Sequence, residues 1–224
     1  MSKKCVVLLS GGIDSTVLMY SLIEDYEVYP LTIGYGQRHK KEVFAARNVC
    51  EARGDWLLKR WKYLDLGNLR FVLPSALTGV GEIPSGKYDE ETMSQTVVPN
   101  RNMIFLSIAA GYAEGIEANY VAYAAHTEDH YLYSDTRPEF AVTCDLAIEQ
   151  GTGGKVRLLT PFISVSKSDI ITFGKTFTVP FKKTYSCYGG GDVHCGICST
   201  CIERRQAFKL ARVEDPTEYI AERL

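Results

Sequence analysis

The chain has 224 residues, 46% of them hydrophobic, with 25 Lys and Arg against 27 Asp and Glu for a formal net charge of -2. That is enough apolar material for one substantial core, and it favours one domain with a tail over two equal domains. The near-neutral charge leaves no electrostatic footprint for duplex DNA or RNA, no run approaches 18 apolar residues so no membrane span is expected, and the clustered cysteines suit a reducing cytoplasm better than a disulfide framework.

In chain order, CVVLL at 5–9 predicts a buried strand rather than a signal peptide, because the apolar run stops at once in Ser-Gly-Gly. SGGIDS follows, then an apolar-periodic helix over 17–23. VYPLTI at 28–33 is strand-like, and after GYGQRH a helix is expected over 40–52. Strand, turn, helix repeated twice is the α/β signature. WLLKRWKYLDL near 56–66 is read as a further strand. The stretch 74–92 is polar, carries Gly and Pro without clear period, and is read as a long surface loop able to cover a site. A helix over 103–115 and a strand over 119–125 come next. AAHTEDHYLYSDTRP then forms a second polar loop at a strand end, where open α/β sheets bind ligands. A helix over 138–151 with Pro138 near its start, a strand at 156–162 and a helix capped by Ser166 complete the pattern. Past Pro180 lie the cysteine segment and a basic helix, IERRQAFKLARV.

Cys187, Cys195, Cys198 and Cys201 stand at C-x7-C-x2-C-x2-C, a spacing that gathers four thiolates on one ion. Tetrahedral zinc is the expected occupant. With four thiolates no position stays open for water, so the metal's role is to fasten the tail to the core. An iron–sulfur cluster, a redox dithiol in CGIC or CSTC, and a metal-free cluster are the alternatives.

SGGIDS, between a buried strand and a helix, is the other strong signal. Its two glycines let the backbone turn tightly and bring N–H groups toward an anion at the helix N-terminus. It matches neither the Walker nor the dinucleotide pattern, and the alternative is an ordinary turn with Ser and Asp as caps. A carboxylate at Asp14 would repel phosphates unless it contacts an accompanying cation, which suggests magnesium carried in with ATP or pyrophosphate.

SGG-x-DS after an N-terminal strand resembles the pyrophosphate loop of the ATP pyrophosphatases. Read in order with VPNRN at 98–102, YSDTRPEF at 133–140, TPF and SKSDI at 160–170, and SCYGGGDVHCGICSTCIERRQAF, it is similar to the 7-cyano-7-deazaguanine synthase family over nearly the whole length. The resemblance implies a doubly wound, mainly parallel sheet with helices on both faces, adenine nucleotide alpha hydrolase-like. It places that domain at 1–180, with a zinc-binding segment and C-terminal helices packed on it at 181–224. It also implies an ATP-dependent ligase that turns 7-carboxy-7-deazaguanine and ammonia into the nitrile, working as a cytoplasmic homodimer with one structural Zn2+ and with Mg2+ beside ATP, and without stable nucleic-acid or membrane partners.

By the same resemblance Ser10, Gly11, Gly12, Asp14 and Ser15 cradle the β and γ phosphates, and Lys167 offsets their charge; a solvated lysine is the plain alternative. Arg38 and His39 follow the second strand and are candidates to reach the same cleft, with local backbone capping as the alternative for His39. Arg101, Asn102, Asp135 and Arg137 are the base-recognition candidates: a carboxylate suits the N1–H and amine edge of a deazaguanine, and an arginine suits the 7-carboxylate. A surface ion pair or a cap for the helix at Pro138 is the plainer reading of Asp135 and Arg137. Glu128 and Asp129 either join Asp14 around magnesium or are solvated. His126 and His130 bracket them, either as a second metal site or as polar surface. At the pocket lip LYSDTR departs from the glycine-rich SGYPDCR pattern common in the family. The rival readings are a pyrophosphate-loop enzyme with another acceptor, such as transfer RNA or a protein, and a zinc-knuckle nucleic-acid module that would leave SGGIDS without a purpose.

Overall fold

A computed structural model describes residues 3–79, 94–131 and 133–220. Five strands, β1 (Lys4–Leu8), β2 (Glu27–Gly34), β3 (Lys62–Asp65), β4 (Tyr120–Ala122) and β5 (Arg157–Leu159), form one parallel sheet in the order β3-β2-β1-β4-β5. Cys5 lies opposite Val28 on one side and Tyr120 on the other. Pro30 has no N–H to give, and β3 joins β2 only from Leu31 onward.

Side chains alternate across this sheet, and both faces are covered, which is why the inner strands read as continuous apolar runs. Cys5, Val7, Leu9 and Val28 face a core built with α1 (Ile13–Leu22), α2 (Lys41–Arg53), α3 (Asp55–Arg60), α6 (Lys167–Thr176) and α7 (Ser199–Ala211). Val6, Leu31, Ile33 and Val121 face α4 (Arg101–Gly115) and α5 (Pro138–Gly151). The chain is thus doubly wound, and strand order reverses at β1, with β2 on one side and β4 on the other. The crevice beyond the carboxyl ends of β1 and β4 is the topological switch point.

Two expectations need correction. The strand read over 56–66 is helix α3 followed by the short strand β3. Gly54, at φ 136°, ends α2, and Asp55 restarts a helix with acid in its first turn and Lys59 and Arg60 in its last, so the macrodipole is matched at both ends. The surface loop read over 74–92 begins with a buried 3-10 turn, Ala76–Thr78, closed by reciprocal hydrogen bonds between Ser75 and Thr78. Residues 80–93 of that stretch lie outside the described residues. The polar loop after β4 holds two 3-10 turns, Thr127–Asp129 and Ser134–Thr136, with His126 and Thr136 buried.

Beyond residue 180 the chain is part of the main core rather than an appendage: Phe181, Ala207 and Phe208 pack there, with the Phe181 and Phe208 rings edge to face at 5.1 Å. One α-helix, α7, and a 3-10 turn, Phe181–Lys183, are found in this segment among the described residues. No helix among them is long and apolar enough to cross a membrane.

Candidate active site

A cleft of about 250 Å3 opens at the switch point, lined by the phosphate loop, the ends of β2 and β4, the start of α4 and the cysteine segment. The phosphate loop is shaped by close approach. Gly11 sits at φ 91°, and a Cβ there would lie 2.3 Å from the Glu42 carbonyl oxygen and 2.6 Å from the Ala46 nitrogen, so no other residue fits. Gly12 caps α1 with no side-chain hydrogen bond, which leaves the first N–H groups of the helix uncapped on the cleft wall. The Ser10 and Ser15 hydroxyls lie 3.0 Å apart, and Ser15 Oγ accepts from the Ser10 N–H at 3.2 Å. Uncapped N–H groups, a positive helix end and two hydroxyls make an anion site.

Opposite the loop is a cluster of alternating charge. Lys167, at the start of α6, places Nζ 3.4 Å from Asp14 Oδ2 and 3.0 Å from Glu203 Oε2. Buried His126 lies between Asp129 at 3.4 Å, Asp14 at 3.7 Å and Glu128 at 3.2 Å. Burial alone would lower the Lys167 and His126 values. The carboxylates outweigh it, holding Lys167 well above its ordinary value and His126 at about 10, so both are cations. Burial would likewise raise Asp14, but Lys167 and His126 hold it well below the usual carboxylate range. Asp129 behaves oppositely: burial, with Glu203 and Asp14 nearby, raises it to about 6 against the pull of His126 and Lys167.

Glu128 is committed elsewhere. Its two oxygens accept the Lys167 backbone N–H at 3.0 and 3.1 Å, capping α6. One Asp14 oxygen, Oδ1, is buried without a partner, and His126, Asp129 and Glu203 bring ligand atoms within 4.8 Å of one another. An orphaned carboxylate oxygen beside an anion site fits a divalent cation that would arrive with a polyphosphate.

The other end of the cleft is aromatic, with Tyr35, Phe105, Tyr133 and Tyr188 on its wall. Arg101, at the start of α4, lies over the Tyr35 ring at 5.7 Å and donates to its hydroxyl at 3.3 Å. Asn102 also lines the cleft, and its backbone N–H donates to Asp135 Oδ2 at 3.0 Å. Asp135 therefore caps α4 and is not among the lining residues, so the plainer capping reading fits it, though on α4 rather than on the helix at Pro138. Arg137 is exposed and donates to the His130 carbonyl at 2.8 Å. Arg38 is exposed as well, donating to the Gly79 carbonyl at 3.0 Å, while its neighbour His39 is buried on the cleft wall 3.2 Å from Glu42, with Nδ1 unpaired. Of the expected site residues, Ser10, Gly12, Asp14, Ser15, His39, Arg101, Asn102 and Lys167 line the cleft, whereas Gly11, Arg38, Asp135 and Arg137 do not. Tyr35 and Glu203 line it without having been singled out. Glu203 stands two residues past Cys201, in a segment read only for its metal.

The four cysteines of that segment converge. Their sulfurs lie within 4.8 Å of one another, and backbone N–H groups of Cys195 and Cys198 donate to the sulfurs of Cys187 and Cys195, each at 3.3 Å. Three of the four are buried. N–H donors onto a closed set of sulfurs fit a thiophilic metal held by four thiolates.

Fold and cleft define an α/β phosphate-binding protein with a pyrophosphate-type loop at the switch point of a doubly wound sheet. Residues 4–212 match the family described as "Queuosine biosynthesis protein QueC", and the chain belongs to that family. It is 44% identical over 218 residues to a 7-cyano-7-deazaguanine synthase of Methanoregula boonei, covering 96% of this chain and 99% of the relative. It is 45% identical to synthases of the same name from Archaeoglobus fulgidus, covering 95% of this chain and 89% of that one, and from Rhizobium leguminosarum, covering 96% and 92%.

Proposed function

We propose that this chain is an ATP-dependent ligase that converts 7-carboxy-7-deazaguanine and ammonia to 7-cyano-7-deazaguanine. The observation that carries the reading is the shared cleft: an anion site with orphaned Asp14 at one end, and an arginine among aromatic rings at the other, in a chain that matches synthases along their whole length. A carboxylate is a poor electrophile toward ammonia. One of its oxygens attacks the α phosphorus of ATP, and the bond to pyrophosphate breaks. Ammonia then attacks the acyl carbon, AMP departs with the electron pair, and a proton is released. The amide oxygen attacks a second ATP in the same way, expelling pyrophosphate, and loss of AMP and both protons of the amide nitrogen leaves the nitrile.

The α1 N-terminus with Ser10 and Ser15 holds the departing phosphates, and Lys167 offsets the charge that builds there. Asp14, with Asp129 and Glu203 near it, holds Mg2+. Arg101 takes the substrate carboxylate, Tyr35 and Phe105 flank the planar base, and His39 Nδ1 accepts the proton from the attacking amine. Arg38, Asp135 and Arg137 have no part in this reading because they do not reach the cleft. The four-cysteine metal is Zn2+, and the enzyme acts as a homodimer in the cytoplasm, with 181–224 as a metal-fastened segment on a nucleotide-binding domain of 1–180. The test is incubation of purified protein with ATP, magnesium, ammonium and 7-carboxy-7-deazaguanine, followed by mass spectrometry. Nitrile with AMP and pyrophosphate is expected; no turnover by folded, metal-loaded protein would sink the assignment.

A further inference from the structure

Among the polar groups of the cleft wall that none of these steps uses, one stands out as buried and unpaired. Tyr123 follows directly on β4, and its N–H donates to the Leu159 carbonyl at 3.3 Å, so the sheet fixes its backbone. Strand alternation sends the ring to the face shared with Val121, Leu106 and Cys144, where 5% of the residue is exposed. The ring packs as a core residue does and Tyr123 is among the residues lining the cleft, but its hydroxyl is buried and has no hydrogen-bond partner among the described residues. Such a hydroxyl has lost its hydration and gained nothing in return, whereas phenylalanine would fill the same volume without that loss.

Nor can the group ease its position by ionising. Burial pushes the phenol well up, and Cys144, Asp135 and Asp129 push it further, so it stays an O–H donor at any working pH. The ring, held by a close-packed core, cannot swing the hydroxyl into bulk water. What remains is a fixed donor on the wall of a cleft that also presents Arg101 and Asn102.

We propose that the Tyr123 hydroxyl is a recognition group of the acceptor site, donating its hydrogen bond to the bound heterocycle and unpaired until that ligand arrives. This rests on the reading of the cleft as a deazaguanine site; the lactam carbonyl of that ring is an acceptor of the right chemistry. Tyr123 thereby sets specificity for the base and takes no part in handling ATP.

The test is Tyr123→Phe, titrated calorimetrically with 7-carboxy-7-deazaguanine and separately with ATP and magnesium, beside thermal melts of both proteins. Affinity for the deazaguanine is expected to fall about three- to tenfold, the worth of one neutral hydrogen bond, with ATP affinity unchanged and melting temperature equal or higher. The combination of a stabler or equally stable protein with weaker base binding is one that a structural hydroxyl would not produce. Equal deazaguanine affinity in the two proteins, or a melting temperature lowered by several degrees, would overturn the inference. Failure of the unaltered protein to bind 7-carboxy-7-deazaguanine would instead overturn the substrate assignment, and the inference with it.

Discussion

Replacing Arg204 by Met tests whether the cysteine segment and the sheet form one cooperative unit. The Arg204 side chain is fully buried. Its Nε and Nη2 donate to Asp215 at 3.2 to 3.3 Å, Nη1 donates to Thr184 Oγ1 at 2.8 Å, and Nη2 donates to the Phe181 carbonyl at 3.2 Å. One guanidinium thus joins α7, the chain entering the cysteine segment and the tail after α7. Methionine keeps much of the stem's packing against Phe208 and removes every one of these donors. Asp215, with 12% of its side chain exposed, is left with the Thr217 N–H and the Tyr219 hydroxyl alone.

Breaking a buried pair by removing one partner costs about 3–5 kcal/mol. At roughly 2–4 °C per kcal/mol for a chain of this size, the melting temperature falls by about 6–20 °C. Thermal melts of metal-loaded protein at fixed scan rate and pH 7.5 read this directly. The loss is expected in a single transition. Arg204→Met with Asp215→Asn should recover part of it, because no charged group is then left unpaired. A loss below about 1 kcal/mol, or a double variant no better than the single, would show that the network does not join these parts, and two separate transitions would show that 181–224 unfolds on its own.

Cys198→Ser removes a sulfur from the closed set at the N-cap position of α7. It is expected to abolish metal binding and lower stability together, measured as metal content and melting temperature; a folded, fully active apo-protein would contradict a structural metal. The charged cluster gives a pH dependence. His126 titrates at about 10 in the folded protein against 6.5 as its ordinary value, since Asp129, Asp14 and Glu128 outweigh its burial. Its contribution to stability is therefore complete below pH 6.5, declines as pH rises, and is lost above 10. Melts of the metal-loaded protein between pH 6.5 and 10 should show this decline, and His126→Gln should flatten it; an unchanged slope in the variant would remove His126 from the account.

The parts legible in sequence were those whose signal is local. The phosphate loop needs glycine at position 11 because the α2 backbone passes within a Cβ's reach of it, and the cysteine spacing is itself the geometry of a metal set. Facing was not legible. Arg38 and His39 are neighbours, yet one is exposed and the other buried on the cleft wall, because successive residues beyond β2 point opposite ways. Asp135 suggested base recognition by its chemistry, but its carboxylate met the open N-terminus of α4 first, and a helix end brought there from 33 residues away leaves no mark on the local sequence. Tyr35 and Glu203 escaped for the same reason, each sitting beside a motif that already had an explanation.

Glu203 also bears on what the metal does. The Tyr185 N–H donates to the Gly11 carbonyl at 2.9 Å, so the chain entering the cysteine segment is hydrogen-bonded to the phosphate loop itself. Cys198 and Cys201 bracket the first turn of α7, and Glu203 follows within that helix to meet Lys167 Nζ. Ser186, Tyr188 and Thr200, from the same segment, complete that wall of the cleft. A metal gripping Cys187 with Cys198 and Cys201 would therefore fix the distance between the chain hydrogen-bonded to the phosphate loop and the helix whose Glu203 meets the lysine. Four thiolates leave the ion no chemistry of its own. By pinning these two attachments such a metal would keep Lys167 and the phosphate loop in register, which is how a closed four-thiolate site would bear on the cleft.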